Sequence, residues 1–395
     1  MGGSPTERSP TDRPRHLIWV TTELRTGGAE RCLTRLAREL PADRFRSTVV
    51  SLKPLPDERT ELLEQLRAAG IPVRSLEASR PSELMRTVGR LKRLFDDDPP
   101  DLLASFLFHA NLVTAWARRS NRTVPWVANL RVADPSRWRS VLERRALTGA
   151  TRIACVSRAV ADAARRRLRF AAERLVVIPN GVDLAEIDRQ QGRADIAVGR
   201  TAAPRVAVVG RLEPQKGLDR LFEAWGAAPP KPAGLRLGIV GQGSERERLE
   251  ALARRVGIAD VPIWYGWRSE PWETLRETEV VLVPSRFEGM ANAMLEAMGA
   301  GKVVLATDVE GVRDVLEGGD VPGSGDSGVA PSKFGLESQI VPVDRLDLML
   351  ARLTQVLADK ELAARVGAAN RRRIETQFAW ETVLDRYACL FDSLV

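Results

Sequence analysis

Short, nearly uninterrupted apolar runs recur along the first half of the chain, at residues 17–22, 47–52, 102–108, 126–130, 153–156 and 175–178. Between most of them the apolar positions switch to helical spacing, as at Leu33, Leu36, Ala37 and Leu40 and in stretches 61–69 and 82–95. A strand buried on both faces reads as a continuous run, so such strands separated by helices predict a parallel sheet covered on both sides. After Asp183 the apolar signal fades, and residues 190–204 are polar, contain glycine and end in proline, which predicts a linker. A second series of runs follows at 205–209, 235–240, 261–265, 280–283 and 303–306. The pattern predicts an α/β chain of two doubly wound units, at 15–190 and 205–377, with a linker at 191–204 and helix from residue 345 onward. Residues 318–335, rich in Gly, Ser, Pro and Asp, predict a mobile loop.

A length of 395 residues agrees with two domains rather than one core. Residues 1–14 are polar with three prolines, which predicts a disordered tail carrying neither signal peptide nor anchor. No apolar run approaches the roughly 20 residues that span a bilayer. Cys32, Cys155 and Cys389 are scattered, as expected of reduced thiols in a cytoplasmic protein. With only His16 and His109 available, a histidine- or cysteine-based metal site is not expected, and His16, ahead of a strand, reads as a surface residue.

Charge divides the chain. Residues 1–200 carry 36 Lys and Arg against 24 Asp and Glu, and residues 201–395 carry 24 against 28. A basic first half fits an anionic partner such as a phosphorylated acceptor or an anionic membrane surface, and equally fits arginines that only solvate helix faces. Ser157 stands ahead of a helix with Arg165, Arg166, Arg167 and Arg169, a cluster suited to anionic lipid at the inner membrane face. Nothing beyond charge points to nucleic acid.

Ligands of open parallel sheets bind at the carboxyl ends of the strands, and candidate chemistry collects there. The segment Val209-Gly210-Arg211-Leu212-Glu213-Pro214-Gln215-Lys216-Gly217 puts two cations in one strand-to-helix loop, where they can neutralise a diphosphate. Gly241 and Gly243 open a turn that lets backbone approach a ligand, and Ser244 with Glu247 has the spacing of a capping box. Glu288 falls in a turn with Gly289, Met290 and Ala291, and Glu296, eight positions on, about two turns into the helix it opens, a step that returns to nearly the same face. Glu296 falls in an otherwise apolar helix, where a charge needs a partner such as ribose hydroxyls. In the first half, His109 follows the run at 102–108 and Arg131 ends the next one.

These segments, in this order and spacing, resemble the retaining glycosyltransferases of family 4, which have the GT-B architecture. The resemblance rests on Gly27-Gly28-Ala29-Glu30, Phe108-His109-Ala110-Asn111, Val156-Ser157, Ile178-Pro179-Asn180-Gly181-Val182-Asp183, the Arg211 to Lys216 loop, Gly241-Gln242-Gly243, and Glu288 with Glu296. It implies two Rossmann-like domains facing across a cleft, an N-terminal acceptor-side domain and a C-terminal nucleotide-sugar-binding domain, with a final helix at 378–395 crossing back to the first. It implies that Arg211 and Lys216 hold the donor diphosphate, that Glu296 binds ribose, and that Glu288 lies near the transferred sugar. Gly289, Met290 and Ala291 would offer backbone amides, Gly27 and Gly28 a loop that closes over the diphosphate, and His109 a contact at the reacting centre. Asn111 and Arg131 would belong to the acceptor side. Relatives often carry His near the position of Arg131 and have a more compact loop than 318–335. The implied activity needs no metal or other cofactor. It moves a sugar from a nucleotide sugar, a UDP-sugar by family habit, to a saccharide or lipid-linked acceptor in envelope polysaccharide or glycolipid synthesis. A nucleotide-sugar epimerase of the same architecture and a non-catalytic nucleotide-sugar-binding protein remain open alternatives. A NAD-dependent dehydrogenase is poorly supported, because no Gly-x-Gly-x-x-Gly follows the first strand.

Overall fold

Among the described residues thirteen strands carry the fold, seven in one parallel sheet and six in another. They are β1 (Arg15–Thr21), β2 (Phe45–Ser51), β3 (Val73–Ser75), β4 (Leu102–Phe106), β5 (Trp126–Leu130), β6 (Arg152–Cys155), β7 (Leu175–Val177), β8 (Val206–Val209), β9 (Leu237–Val240), β10 (Pro262–Gly266), β11 (Val280–Val283), β12 (Val303–Thr307) and β13 (Ile340–Val341). The structure is a computed structural model that describes residues 13–25, 27–132, 136–192, 204–228, 235–317 and 339–395. Nearly all of the expected tail and linker, and the whole of the expected 318–335 loop, lie outside the described residues.

The first sheet has the order β3-β2-β1-β4-β5-β6-β7 and the second the order β10-β9-β8-β11-β12-β13. Each starts in its middle, grows to one side, then returns to grow to the other. The point where the order reverses lies between β1 and β4 in one sheet and between β8 and β11 in the other. Such switch points leave a crevice outside the carboxyl ends of the strands. The apolar runs become strands because both faces are covered: Leu17 to Val20 of β1 and Val280 to Leu282 of β11 are completely or almost completely buried. In the second unit Leu221, Phe222 and Trp225 of helix Leu218–Ala227 pack with Ile239, Leu282 and Leu305 of the sheet and with Met349 and Val356 of helix Leu346–Ala358.

Two expectations need correction here. His16 is not a surface residue but lies within β1, buried, with Nε2 3.0 Å from Thr48 Oγ1 and Nδ1 3.2 Å from the Pro99 carbonyl. The carbonyl can only accept, so Nδ1 carries a proton, and burial lowers the His16 pKa, which favours the neutral imidazole with Nε2 accepting from the threonine. Strand β4 ends at Phe106, two residues before the apolar run does, and Phe108 already opens helix Phe108–Ala117. Strands β3 and β13 have no counterpart in the sequence reading, because three and two residues are too short to show a period.

Contacts divide the chain into two units, one of Met1–Val156, Val160–Ile178 and Val383–Val395, the other of Ser157–Ala159 and Pro179–Thr382. Residues 179–190 group with the second unit although the sequence pattern put them in the first. The cause is helix Leu184–Gly192, whose Leu184 and Ile187 close over Gly299: a Cβ there would lie 3.3 and 3.1 Å from them. In the first unit, residues from 383 onward pack through Phe391 on Trp19 and Phe45, with ring centroids 5.6 and 6.1 Å apart. Tyr387, fully buried, donates its hydroxyl to Asn129 Oδ1 at 2.6 Å.

Candidate functional site

The loops after β8, β9 and β11 meet at the switch point of the second sheet. The first two are laced by backbone: Gly210 N donates to Val240 O, Leu212 N to Gln242 O, and Glu245 N to Leu212 O, all at 2.9–3.0 Å. Gly241 and Gly243 are required for that lacing. A Cβ at Gly241 would sit 1.8 Å from the Gly210 carbonyl oxygen, and one at Gly243 would sit 2.2 Å from that of Leu212. Ser244 does not cap the next helix as its spacing with Glu247 suggested. It donates its hydroxyl to Glu213 at 3.1 Å, and helix Arg246–Arg255 begins after Glu245 with no side-chain cap. The Glu213 carboxylate, presented from the neighbouring loop, competes successfully for the hydroxyl.

The loop after β8 bends sharply against the loop after β11. Gly217 has a left-handed φ of +67°, and a Cβ there would lie 2.1 Å from the Pro284 carbonyl oxygen. This approach brings Lys216 Nζ to 2.5 Å from Glu288 Oε1, with the two side chains only 18% and 8% exposed. Ser285 donates to the same oxygen at 2.8 Å, and Gln215 Nε2 donates to the Phe287 carbonyl at 2.9 Å. Arg286 binds both carboxylate oxygens of Asp219 at 2.8 Å and the Pro214 carbonyl at 2.6 Å, clamping the two loops. The Arg286 hydrogen bonds hold the Asp219 carboxyl below the usual carboxylate range. Arg211, in contrast, is exposed, and among the described residues its side chain has no hydrogen-bond or ion-pair partner.

Glu288 stands in the turn, as expected, but Glu296 is not two turns into the helix that follows. Helix Asn292–Gly299 starts four residues after Glu288, and Glu296 lies just over one turn into it. Their partners differ accordingly: Glu288 meets Lys216 and Ser285, whereas Glu296 accepts from the buried Trp272 indole N–H at 3.3 Å. Between them Gly289, Met290 and Ala291 are buried. Gly311, at φ +78°, lets another turn pass over the Gly289 carbonyl, and Asn180 donates to the Met290 carbonyl at 3.1 Å. Ala291 precedes the helix and has no side-chain acceptor to cap its first amides. An uncapped helix end leaves backbone amides that favour an anion.

In the first unit, His109 is the second residue of helix Phe108–Ala117 and is exposed. Leu107 ahead of it has φ 75° and ψ 160°, a region that a leucine enters only against steric cost and that clusters at working sites. Withdrawal from water on the protein side, and then the charges of Arg139 and Lys53, push the His109 imidazole below its usual pKa. Gly27 is extended and precedes helix Gly28–Glu39, and a Cβ on it would meet the Glu30 carboxylate at 2.3 Å. That acidic group lies over its own helix N-terminus, where it is electrostatically favoured.

Asn111 and Arg131 are not on an open acceptor surface. Asn111 is 1% exposed, accepts from Ser105 Oγ at 2.6 Å and donates to the Asn129 carbonyl at 3.2 Å. Arg131 is 8% exposed, donates to the Tyr387 hydroxyl at 3.4 Å and lies over the Phe106 ring. Burial requires such partners for polar groups, and both residues instead fix the strand ends that carry His109. Gln215, Ser285, Asp219, Arg286 and Trp272 were not foreseen. Gln215 and Asp219 flank Lys216-Gly217 and Ser285 and Arg286 precede Glu288, all beside motifs already visible, but Trp272 gives no local signal. Among the described residues, no group of three or more His, Cys, Asp or Glu could hold a metal ion, and no helix is long and apolar enough to cross a membrane.

Residues 26–186 match the family model of Glycosyltransferase Family 4, and residues 197–373 match that of Glycosyl transferases group 1. Lipopolysaccharide 1,6-galactosyltransferase of Salmonella typhimurium is 36% identical over 118 residues, 28% of this chain and 32% of that protein. The lipopolysaccharide core biosynthesis glycosyltransferase LpsD of Rhizobium meliloti is 25% identical over 72% of this chain and 76% of its own length. The chain spans about a third to a half of the length of the first curated relatives it matches. The crystal structure of Anabaena HepE with UDP and glucose superimposes with a TM-score of 0.77 at 19% identity, covering 96% of this chain and all of that one, a likeness of fold.

Proposed function

The chain belongs to the glycosyltransferases of family 4 and group 1, and from that premise we propose that it moves a sugar from a nucleotide sugar to a saccharide or lipid-linked acceptor with retained configuration. One observation carries the reading: Lys216, exposed Arg211 and the uncapped start of helix Asn292–Gly299 collect at one switch point. Breaking a glycosyl–phosphate bond sends its electron pair to the diphosphate and leaves positive charge on the sugar. Fixed cations and amides aimed at the leaving oxygen stabilise that charge without rearranging. The acceptor hydroxyl attacks from the face the diphosphate leaves, and its proton passes to the departing phosphate. In this scheme Glu288 orients Lys216 and faces the sugar, Glu296 takes the ribose hydroxyls, and no metal ion takes part because two side-chain cations already stand where charge develops. HepE crystallised with UDP-glucose supports a UDP-sugar, and the lipopolysaccharide transferases support an envelope saccharide acceptor. Exposed Arg165, Arg166, Arg167 and Arg169 support contact with an anionic membrane at its inner face, which flotation with anionic vesicles tests.

The test is a thermal-shift screen of nucleotide sugars, followed by nucleotide release with acceptor in EDTA. A donor at 100 times its Kd adds about 2.7 kcal/mol of stability. Failure of every nucleotide sugar to raise the Tm refutes the reading. Epimerised sugar without acceptor would indicate an epimerase instead.

A further inference from the structure

Among the described residues the exposed large apolar side chains are five: Met85, Val132, Trp138, Val141 and Val395. Three of them follow β5, Val132 two residues after the strand and Trp138 and Val141 on helix Arg137–Leu147. Trp138 is 63% and Val141 55% exposed, and three positions apart they share one helix face. Neither is needed for the core, which this helix enters through Ala146 and the half-buried Leu142 against Phe108 and Leu112. Scattered exposed apolar residues need no explanation, but a cluster with a polar rim marks a binding surface.

The rim here is cationic. Among its described side chains, helix Arg137–Leu147 carries Arg139, Arg144 and Arg145 against one acidic residue, Glu143. Arg144 and Arg145 are exposed, and the Arg139 guanidinium lies 4.5 Å from the centre of the Phe108 ring. Phe108 in turn joins the face to His109: the Phe108 ring is 6.1 Å from that of Trp138 and 5.3 Å from that of His109, both edge-on. The face is therefore continuous with the strained Leu107–His109 turn at the carboxyl end of β4, where the sheet order reverses.

We propose that Trp138, Val141 and Arg139 form an acceptor subsite beside His109, and that it takes an acceptor carrying a phosphate group next to an apolar segment. The indole and Val141 receive the apolar part, and Arg139 offers planar paired donors to the phosphate. The positive charge of Arg139 and Lys53 already acts on His109, so an anion placed here is drawn toward the reacting turn. A bilayer-docking face would gain nothing from sitting against His109, which favours a discrete ligand over a membrane. This assignment rests on the transferase reading above, because it names the acceptor of that same reaction.

The experiment uses the full chain with no donor present. Octyl phosphate below its micelle concentration is titrated while tryptophan fluorescence is followed, with inorganic phosphate and phosphatidylglycerol vesicles as comparison probes. Saturable binding of octyl phosphate is expected, weakened at least tenfold by Trp138→Ala and by Arg139→Gln, whereas inorganic phosphate responds to Arg139→Gln alone. Both variants should keep the wild-type melting profile and nucleoside diphosphate affinity, since Trp138 stands outside the core and the donor loops lie in the other unit. Unchanged octyl phosphate binding in both variants overturns the subsite. So does binding that is seen only with vesicles, which would make this a membrane-docking face. A chain that binds octyl phosphate through Trp138 yet binds no nucleoside diphosphate counts against the transferase reading and not against the subsite.

Discussion

Lys216→Met separates the structural from the chemical role of the Lys216–Glu288 pair. The two charges are 2.5 Å apart and mostly withdrawn from water. Removing one partner of such a pair strands the other, at about 3–5 kcal/mol. The Glu288 carboxylate would keep its hydrogen bond from Ser285 at 2.8 Å and a long one from Gln215 at 3.5 Å, so the lower end, about 3 kcal/mol, is expected. In a unit of this size that is a fall of roughly 6–12 °C in Tm. Glu288→Gln strands Lys216, but the lysine is the more exposed partner and can turn to water, so a loss of about 1–2 kcal/mol is expected. The double variant should then cost less than the sum of the two by about 2 kcal/mol. Nucleoside diphosphate binding separates the variants further. Lys216→Met should weaken UDP about 100-fold, and Glu288→Gln should leave it equal or up to about tenfold tighter, because the cation no longer has a competing carboxylate. Scanning calorimetry and UDP titration on the four proteins read both effects. Additivity within about 0.5 kcal/mol, or equal loss of UDP affinity in both single variants, would refute the reasoning.

Gly217→Ala combines a left-handed φ of +67° with a Cβ 2.1 Å from a carbonyl oxygen that no side-chain motion can relieve, so a loss of about 3 kcal/mol is expected; a Tm within 2 °C of wild type, roughly 1 kcal/mol, would show that the loop re-forms. The chain has two histidines, so proton NMR should resolve both titrations: His109 should titrate below its usual value of about 6.5 and move upward in Lys53→Gln, and a titration above that value would contradict the site electrostatics. His16 is also depressed by burial, so the unfolded chain takes up its proton first; its contribution is full above about pH 6.5 and is lost as pH falls toward the folded pKa. His16→Asn should therefore lower stability at pH 7.5 yet flatten its decline between pH 6.5 and 5, and an unchanged slope would show that another group sets it.

The two sheets were legible because their strands are buried on both faces, and burial of that kind writes itself as continuous apolar runs such as 126–130 and 280–283. Positions of Arg211, Lys216 and Glu288 at strand ends followed from the same runs, since a strand end fixes where a loop residue can project. What was lost was whatever depends on partners distant in sequence. His16 looked like a surface residue because Thr48 and Pro99, which satisfy it, are 32 and 83 positions away. Asn111 and Arg131 looked available because their buried partners come from β4, β5 and the C-terminal helix. Ser244 looked like a cap because Glu213, its actual acceptor, precedes it by 31 residues. The eight-residue spacing of Glu288 and Glu296 misled for a local reason: the helix begins only after Ala291, so half of that interval is loop.

The central claim is that the loops after β8 and β11 recognise a diphosphate, and comparison of UDP, UMP and uridine by calorimetric titration measures it directly. UDP should bind at least 100-fold more tightly than uridine, about 2.7 kcal/mol of phosphate recognition, and Arg211→Gln with Lys216→Met should remove nearly all of that difference. Uridine binding as tightly as UDP, or a difference that survives the double substitution, would contradict it.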